Sequence, residues 1–188
     1  MLLGEAGVGK TCLVQRFINN VFSDGAMSTI GVSFLQRTIE TDSGKSVKLE
    51  IWDTAGQETY RSILPLYYKA AGCVLLTFDL TRKSTFEELK KFWVKQIQQQ
   101  CDPKVIVVLI GNKCDMNDKR QVEESDARSY AEKRKFLYFE TSAKVGTNID
   151  TMFKSAASAV HPSLQRSAAP RNVLNRKSPR KDDGGCGC

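Results

Sequence analysis

Histidine is almost missing from this chain: one residue, His161, in 188. No Cys or His cluster surrounds it, so it is assigned neither a metal nor a catalytic role. No apolar run reaches the roughly 20 residues that a membrane-spanning helix needs, and no signal peptide is read. There is no internal repeat. Cysteine is present, but not as a disulfide framework. Cys12, Cys73, Cys101 and Cys114 are scattered through core-like segments, which reads as reduced thiols in a cytosolic chain. A hydrophobic content of 41% over 188 residues suits one core-bearing domain plus a tail.

The most specific segment is Gly4-Glu5-Ala6-Gly7-Val8-Gly9-Lys10-Thr11, followed by Cys12. It fits G-x-x-x-x-G-K-[ST], in which glycines let successive backbone N–H groups curl around a polyphosphate. Lys10 would reach the β- and γ-phosphates, and the Thr11 hydroxyl would ligate Mg²⁺. A helix starting near Lys10 adds the positive end of its dipole. The alternative is a Gly-rich turn without a ligand. Apolar Leu2-Leu3 before the loop and a helical pattern after it favour the nucleoside-triphosphate site.

Asn112-Lys113-Cys114-Asp115 follows the β-branched run Val105 to Gly111, which reads as a strand buried on both faces. The end of such a strand is where open α/β sheets bind ligands. The Asp115 carboxylate can accept from N1–H and the 2-amino group of guanine, and adenine offers neither donor. Glu140-Thr141-Ser142-Ala143-Lys144 would close the other side of the base pocket, or simply cap a helix. Trp52-Asp53-Thr54-Ala55-Gly56-Gln57-Glu58 ends an alternating strand. Asp53 there can organise Mg²⁺, Gly56 can bring its N–H close to a γ-phosphate, and Gln57 can orient an attacking water. An ordinary Asp-Thr-Ala-Gly turn is the other reading.

With these motifs in order, the chain resembles the Rab family of Ras-superfamily small GTPases, from about Leu2 to Val160. The resemblance also rests on Ser28 to Phe34, Lys48 to Glu58, Tyr60 to Ile63, Tyr67 to Ala71 and Cys186-Gly187-Cys188. It implies a GTP/GDP switch with slow hydrolysis in which Gln57, Lys10 and Gly56 are catalytic. It implies that Thr29 joins Thr11 and Asp53 around Mg²⁺, and that Phe22 packs on the guanine beside Asn112, Lys113, Asp115, Ser142, Ala143 and Lys144. Phe34, Trp52 and Tyr67 match the apolar triad that effectors touch. Implied partners are an exchange factor, a GTPase-activating protein that supplies an arginine, effectors, a GDP dissociation inhibitor and a prenylation escort protein. Ser33, Thr59 and Ala70 depart from the usual Rab residues without touching nucleotide. A nucleotide-binding scaffold that barely hydrolyses, or a truncated product, is the alternative.

The fold expected is α/β: a mostly parallel six-stranded sheet with helices on both faces, over residues 1–161. Helices are expected at Lys10 to Asn19, Thr85 to Gln100 and Glu123 to Lys133. Strands are expected at Val32–Glu40, Ser46–Trp52, Cys73–Phe78, Val105–Ile110 and Phe136–Phe139, with a turn at Asp42 to Lys45. Ile149, Met152, Phe153, Ala156, Ala157 and Val160 form one apolar helical face. Only Met1-Leu2-Leu3 precede Gly4, so a shortened central strand is expected. Its deficit would be several kcal/mol against a typical total of about 5–15, from an alternative or misassigned start. Residues 162–188 read as a disordered tether. Arg166, Arg171, Arg176, Lys177, Arg180 and Lys181 there face only Asp182 and Asp183. A basic tether is attracted to anionic lipid, and the absence of interleaved aromatics argues against nucleic acid. The ending is not a C-a-a-X box. By resemblance Cys186 and Cys188 carry geranylgeranyl groups, two lipid chains that hold the chain on the cytoplasmic face of intracellular membranes, with a cytosolic pool.

Overall fold

A computed structural model describes residues 1–24, 29–41, 44–56, 65–160 and 163–164. Asp42, Ser43, Gln57, Tyr60 to Ile63, Cys186 and Cys188 lie outside them. The elements in order are β1 (Leu2–Leu3), α1 (Lys10–Asn19), β2 (Val32–Glu40), β3 (Ser46–Thr54), α2 (Pro65–Tyr68) and β4 (Cys73–Asp79). Then come α3 (Lys83–Glu88), a π-helical turn (Leu89–Trp93), α4 (Val94–Gln100), β5 (Ile106–Asn112), a 3-10 turn (Asn117–Lys119), α5 (Glu124–Arg134), β6 (Leu137–Thr141) and α6 (Ile149–Ala159).

The β4 and β5 segments carry unbroken apolar runs because both their faces are covered. Val74, Leu76 and Phe78 pack with α3 and α4, while Leu75, Val108 and Ile110 pack with α1 and α6. The four parallel strands run in the order β1-β4-β5-β6. The antiparallel β2 and β3 form a second ladder, from Val32 opposite Thr54 to Glu40 opposite Ser46. The six strands are thus divided between two ladders. With only two residues, β1 pairs with β4 and meets β3 through Thr54 Oγ1, which donates to Leu2 O at 2.7 Å.

Register does the positioning. Asp79 lies opposite Asn112, and Asn112 opposite Thr141, so three strands end side by side at one edge. The strands run further than expected: β3 to Thr54, β4 to Asp79, β5 to Asn112 and β6 to Thr141. Several motif residues are therefore last rungs of the sheet, held by ladder hydrogen bonds. The helix expected over Thr85 to Gln100 is interrupted by the π turn. The wider turn puts Leu89 and Trp93 in the same buried layer as Phe86, Val94 and Ile97.

On the other face α1 buries Leu13, Val14 and Phe17 and ends at Asn20 in a left-handed conformation. Phe17 stacks on Phe153 of α6 with ring centroids 3.8 Å apart. Truncating the buried Phe153 to alanine removes that stack from a packed layer. Phe153→Ala is expected to cost about 3–5 kcal/mol, read as a lowered midpoint of urea denaturation. An unchanged midpoint would mean that α6 does not close the core.

Candidate functional site

The loop between β1 and α1 lies beside the aligned ends of β4 and β5. Gly9 caps α1 with φ 97°, and a Cβ on it would stand 2.3 Å from Asn112 Nδ2, so no larger residue fits. Each loop carbonyl has a donor. Lys10 Nζ reaches Gly4 O and Glu5 O, both at 2.8 Å. Arg82 Nη2 reaches Ala6 O at 3.0 Å, Lys113 Nζ reaches Gly7 O at 3.0 Å, and Asn112 Nδ2 reaches Val8 O at 2.8 Å. Leu13 N–H takes Gly9 O as the first turn of the helix.

Lys113 and Arg82 share a carboxylate. Asp79 Oδ2 accepts from Lys113 Nζ at 2.7 Å and from Arg82 Nε at 3.1 Å. Burial alone would raise the Asp79 pKa, but hydrogen bonds from Lys113 and Thr81 outweigh it and hold the carboxyl below its usual range. Lys10 is almost wholly buried. Burial brings its pKa down to about 8, against the opposing pull of Asp53 and Glu5.

At one end of the loop Thr11 Oγ1 donates to Asp53 Oδ2 at 2.7 Å and lies 2.5 Å from Thr29 Oγ1. Asp53 Oδ1 is buried with no hydrogen-bond partner among the described residues. Burial pushes the Asp53 carboxyl up, opposed by the Thr11 hydrogen bond and by Lys10. Two hydroxyls and an orphaned carboxylate oxygen make a hard-oxygen donor set that fits Mg²⁺. Gly56 abuts the loop, where a Cβ would lie 2.4 Å from Glu5 C and 2.5 Å from Ala6 N. At the other end Ser142 Oγ donates to Asp115 Oδ1 at 2.5 Å, leaving the rest of that carboxylate for a ligand. Asn112 Oδ1 accepts from Thr141 Oγ1 and from Ala143 N–H, both at 3.3 Å, which ties β6 to β5 behind the site.

These groups surround a cleft of about 410 Å³. Of the residues expected there, Ala6, Gly7, Gly9, Lys10, Thr11, Cys12, Phe22, Thr29, Gly56, Asn112, Lys113, Asp115, Ala143 and Lys144 line it. Gly4, Glu5, Val8, Asp53 and Ser142 stand behind that lining and support it. Away from the cleft, Phe34, Trp52 and Tyr67 form one aromatic row, with successive centroids 4.6 and 4.7 Å apart, and Phe34 is exposed. Sequence reasoning missed Asp79, Arg82, Ser23, Asp24 and Met116. An acidic residue ending a buried strand was a readable signal for Asp79. Nothing local marks Arg82, which meets the loop across 76 residues.

A family model described as the Ras family matches residues 1–162. "GTP-binding protein ypt5" of Schizosaccharomyces pombe is 39% identical, over 100% of this chain and 92% of its own length. "Ras-related protein Rab-30" of Homo sapiens is 41% identical over 98% of this chain and 88% of its own length. "Ras-related protein RABA1c" of Arabidopsis thaliana is 40% identical over 97% and 84%.

Lys10 gives the cleft a pH signature. Phosphate beside it favours the ammonium, so a bound polyphosphate raises its pKa above about 8. Below that pH the lysine is already protonated and affinity for guanosine diphosphate is flat. Above it the ligand must recruit a proton, so affinity falls with rising pH, with a limiting slope of about tenfold per unit. Calorimetry in buffers of different ionisation enthalpy should register more proton uptake on binding at pH 8.5 than at pH 7.

Proposed function

The chain belongs to the Rab group of Ras-family small GTPases, and on that premise we propose how its own residues run the switch. As a Rab-like GTPase it binds GTP and GDP, hydrolyses GTP and acts in vesicle trafficking with regulators and effectors of that family. The observation that carries the residue assignment is Lys113. It comes from the base-reading motif, yet its ammonium sits on the carbonyl of Gly7 in the phosphate loop. In this reading one hydrogen bond ties the segment that recognises the base to the loop that binds phosphate.

In the proposed mechanism Asp115 reads N1–H and the 2-amino group of guanine, with Phe22, Ala143 and Lys144 around the base. The loop N–H groups and Lys10 hold the β- and γ-phosphates. A bound Mg²⁺, held by Thr11 and Thr29 with Asp53 behind them, would neutralise phosphate charge. Thr29 and the Gly56 N–H grip the γ-phosphate and order two loops into an effector surface around Phe34, Trp52 and Tyr67; hydrolysis removes these grips. Gln57 orients a water for in-line attack on the γ-phosphorus. The bond to the β–γ bridging oxygen breaks, giving GDP and inorganic phosphate, while Lys10 and the loop N–H groups take up charge on the transferred group.

An activating protein supplies an arginine, and an exchange factor reopens the cleft. The G domain covers residues 1–161. The basic tail 162–188, geranylgeranylated at Cys186 and Cys188, holds the protein on the cytoplasmic face of intracellular membranes. A GDP dissociation inhibitor and a prenylation escort protein serve that anchor and its cytosolic pool. No helix among the described residues is long and apolar enough to cross a membrane, and two lipid chains give stable attachment.

Single-turnover release of phosphate from GTP tests the mechanism. The unmodified sequence should turn over slowly alone and about 10³–10⁵ times faster with an activating protein. Gln57→Leu should lose most of that acceleration while still binding GTP. A chain that binds GTP but releases no phosphate under either condition would be a scaffold, and the catalytic assignment would fall.

A further inference from the structure

Arg16 belongs to none of the nucleotide motifs, yet it is the most heavily engaged side chain at the base end of the cleft. It projects from α1 and is half-buried. Its Nε donates to Ala143 O at 2.8 Å and its Nη2 to Lys144 O at 2.6 Å. Its Nη1 donates to Asn20 O at 3.0 Å and to Asn20 Oδ1 at 3.1 Å. One guanidinium thus joins the loop after β6 to the end of α1, two residues before Phe22. Ala143, Lys144 and Phe22 all line the cleft.

The consequence lies in the peptide planes. In a trans peptide the C=O and N–H point opposite ways. Holding Ala143 O turns the Lys144 N–H away from Arg16, and holding Lys144 O turns the Val145 N–H away as well. The Val145 N–H donates to Ser142 Oγ at 3.1 Å, and that hydroxyl donates to Asp115 Oδ1 at 2.5 Å. Arg16 is therefore linked to the base-reading carboxylate through one peptide plane and one hydroxyl.

We propose that Arg16 is a positioning residue for guanine recognition: it fixes the 143–145 peptides that aim Asp115 and joins them to the arm carrying Phe22. A planar fork is needed to hold two carbonyls at once, and lysine cannot replace it fully. The inference rests on the guanine-nucleotide reading of the cleft and names a determinant of that selectivity.

The test uses the full chain loaded with GDP. Dissociation of GDP and the equilibrium preference for GDP over inosine diphosphate, which lacks the 2-amino group, are measured for the unmodified sequence, Arg16→Met and Arg16→Lys. Arg16→Met should release GDP about tenfold faster and lose about three- to tenfold of the preference, the scale of one or two hydrogen bonds. Arg16→Lys, able to reach one carbonyl, should fall between and keeps the test alive if the methionine variant does not fold. Unchanged dissociation would overturn the proposal. So would faster dissociation with an unchanged preference, because a purely structural loss weakens both ligands alike. A parent chain that binds GDP no better than inosine diphosphate would overturn the guanine reading, and this inference with it.

Discussion

A loop that turns its N–H groups toward phosphate must turn its carbonyls the other way, and a carbonyl turned inward to the protein needs a donor. That constraint organises this molecule. From Gly4 to Val8 the donors are side chains: Lys10 twice, then Arg82, Lys113 and Asn112. They come from α1, from the turn after β4 and from the end of β5. The phosphate loop has its shape because the sheet has delivered these groups to one edge. Asp79 sets the electrostatics there. Its buried carboxylate holds Lys113 and Arg82 together, so two cations stand side by side against the loop and leave a net positive charge there.

The base end is built by the same logic with fewer charges. Ser142 bonds Asp115, while Asn112 and Arg16 bond the surrounding backbone, so the carboxylate proposed to read the base is held in place by its neighbours. An exposed ion pair between Lys144 and Asp24, 3.8 Å apart, spans the mouth of the cleft and is weak by comparison.

Much of this was legible in the sequence because the chemistry is local. The run Gly4 to Thr11, the pair Asn112-Lys113 with Asp115, and Asp53 to Gly56 lie at or directly behind the cleft expected for them, and α1 spans the expected Lys10–Asn19. Other features were not legible, for physical reasons. Polar motif residues look like loop, so the sequence pattern stops each strand short of Asp79, Asn112 and Thr141, which are in fact the last strand residues. The helix expected over Thr85 to Gln100 carries no local sequence signal of the π turn at Leu89–Trp93. The separation of β2 and β3 from the parallel ladder depends on how far β1 reaches. Arg82 and Arg16 act across 76 and 127 residues, where only the fold can bring partners together. Gln57 and the terminal cysteines, named from the sequence, fall outside the described residues.

The central claim is that this cleft holds a guanine nucleotide on a loop braced by the base-reading motif. The most direct measurement is the identity of the nucleotide released by heating the purified, unlipidated chain in Mg²⁺ buffer, read by ion-exchange chromatography. The account predicts nearly one guanine nucleotide per chain, as GDP with a smaller share of GTP. Adenine nucleotide, or a folded protein carrying none, would contradict it.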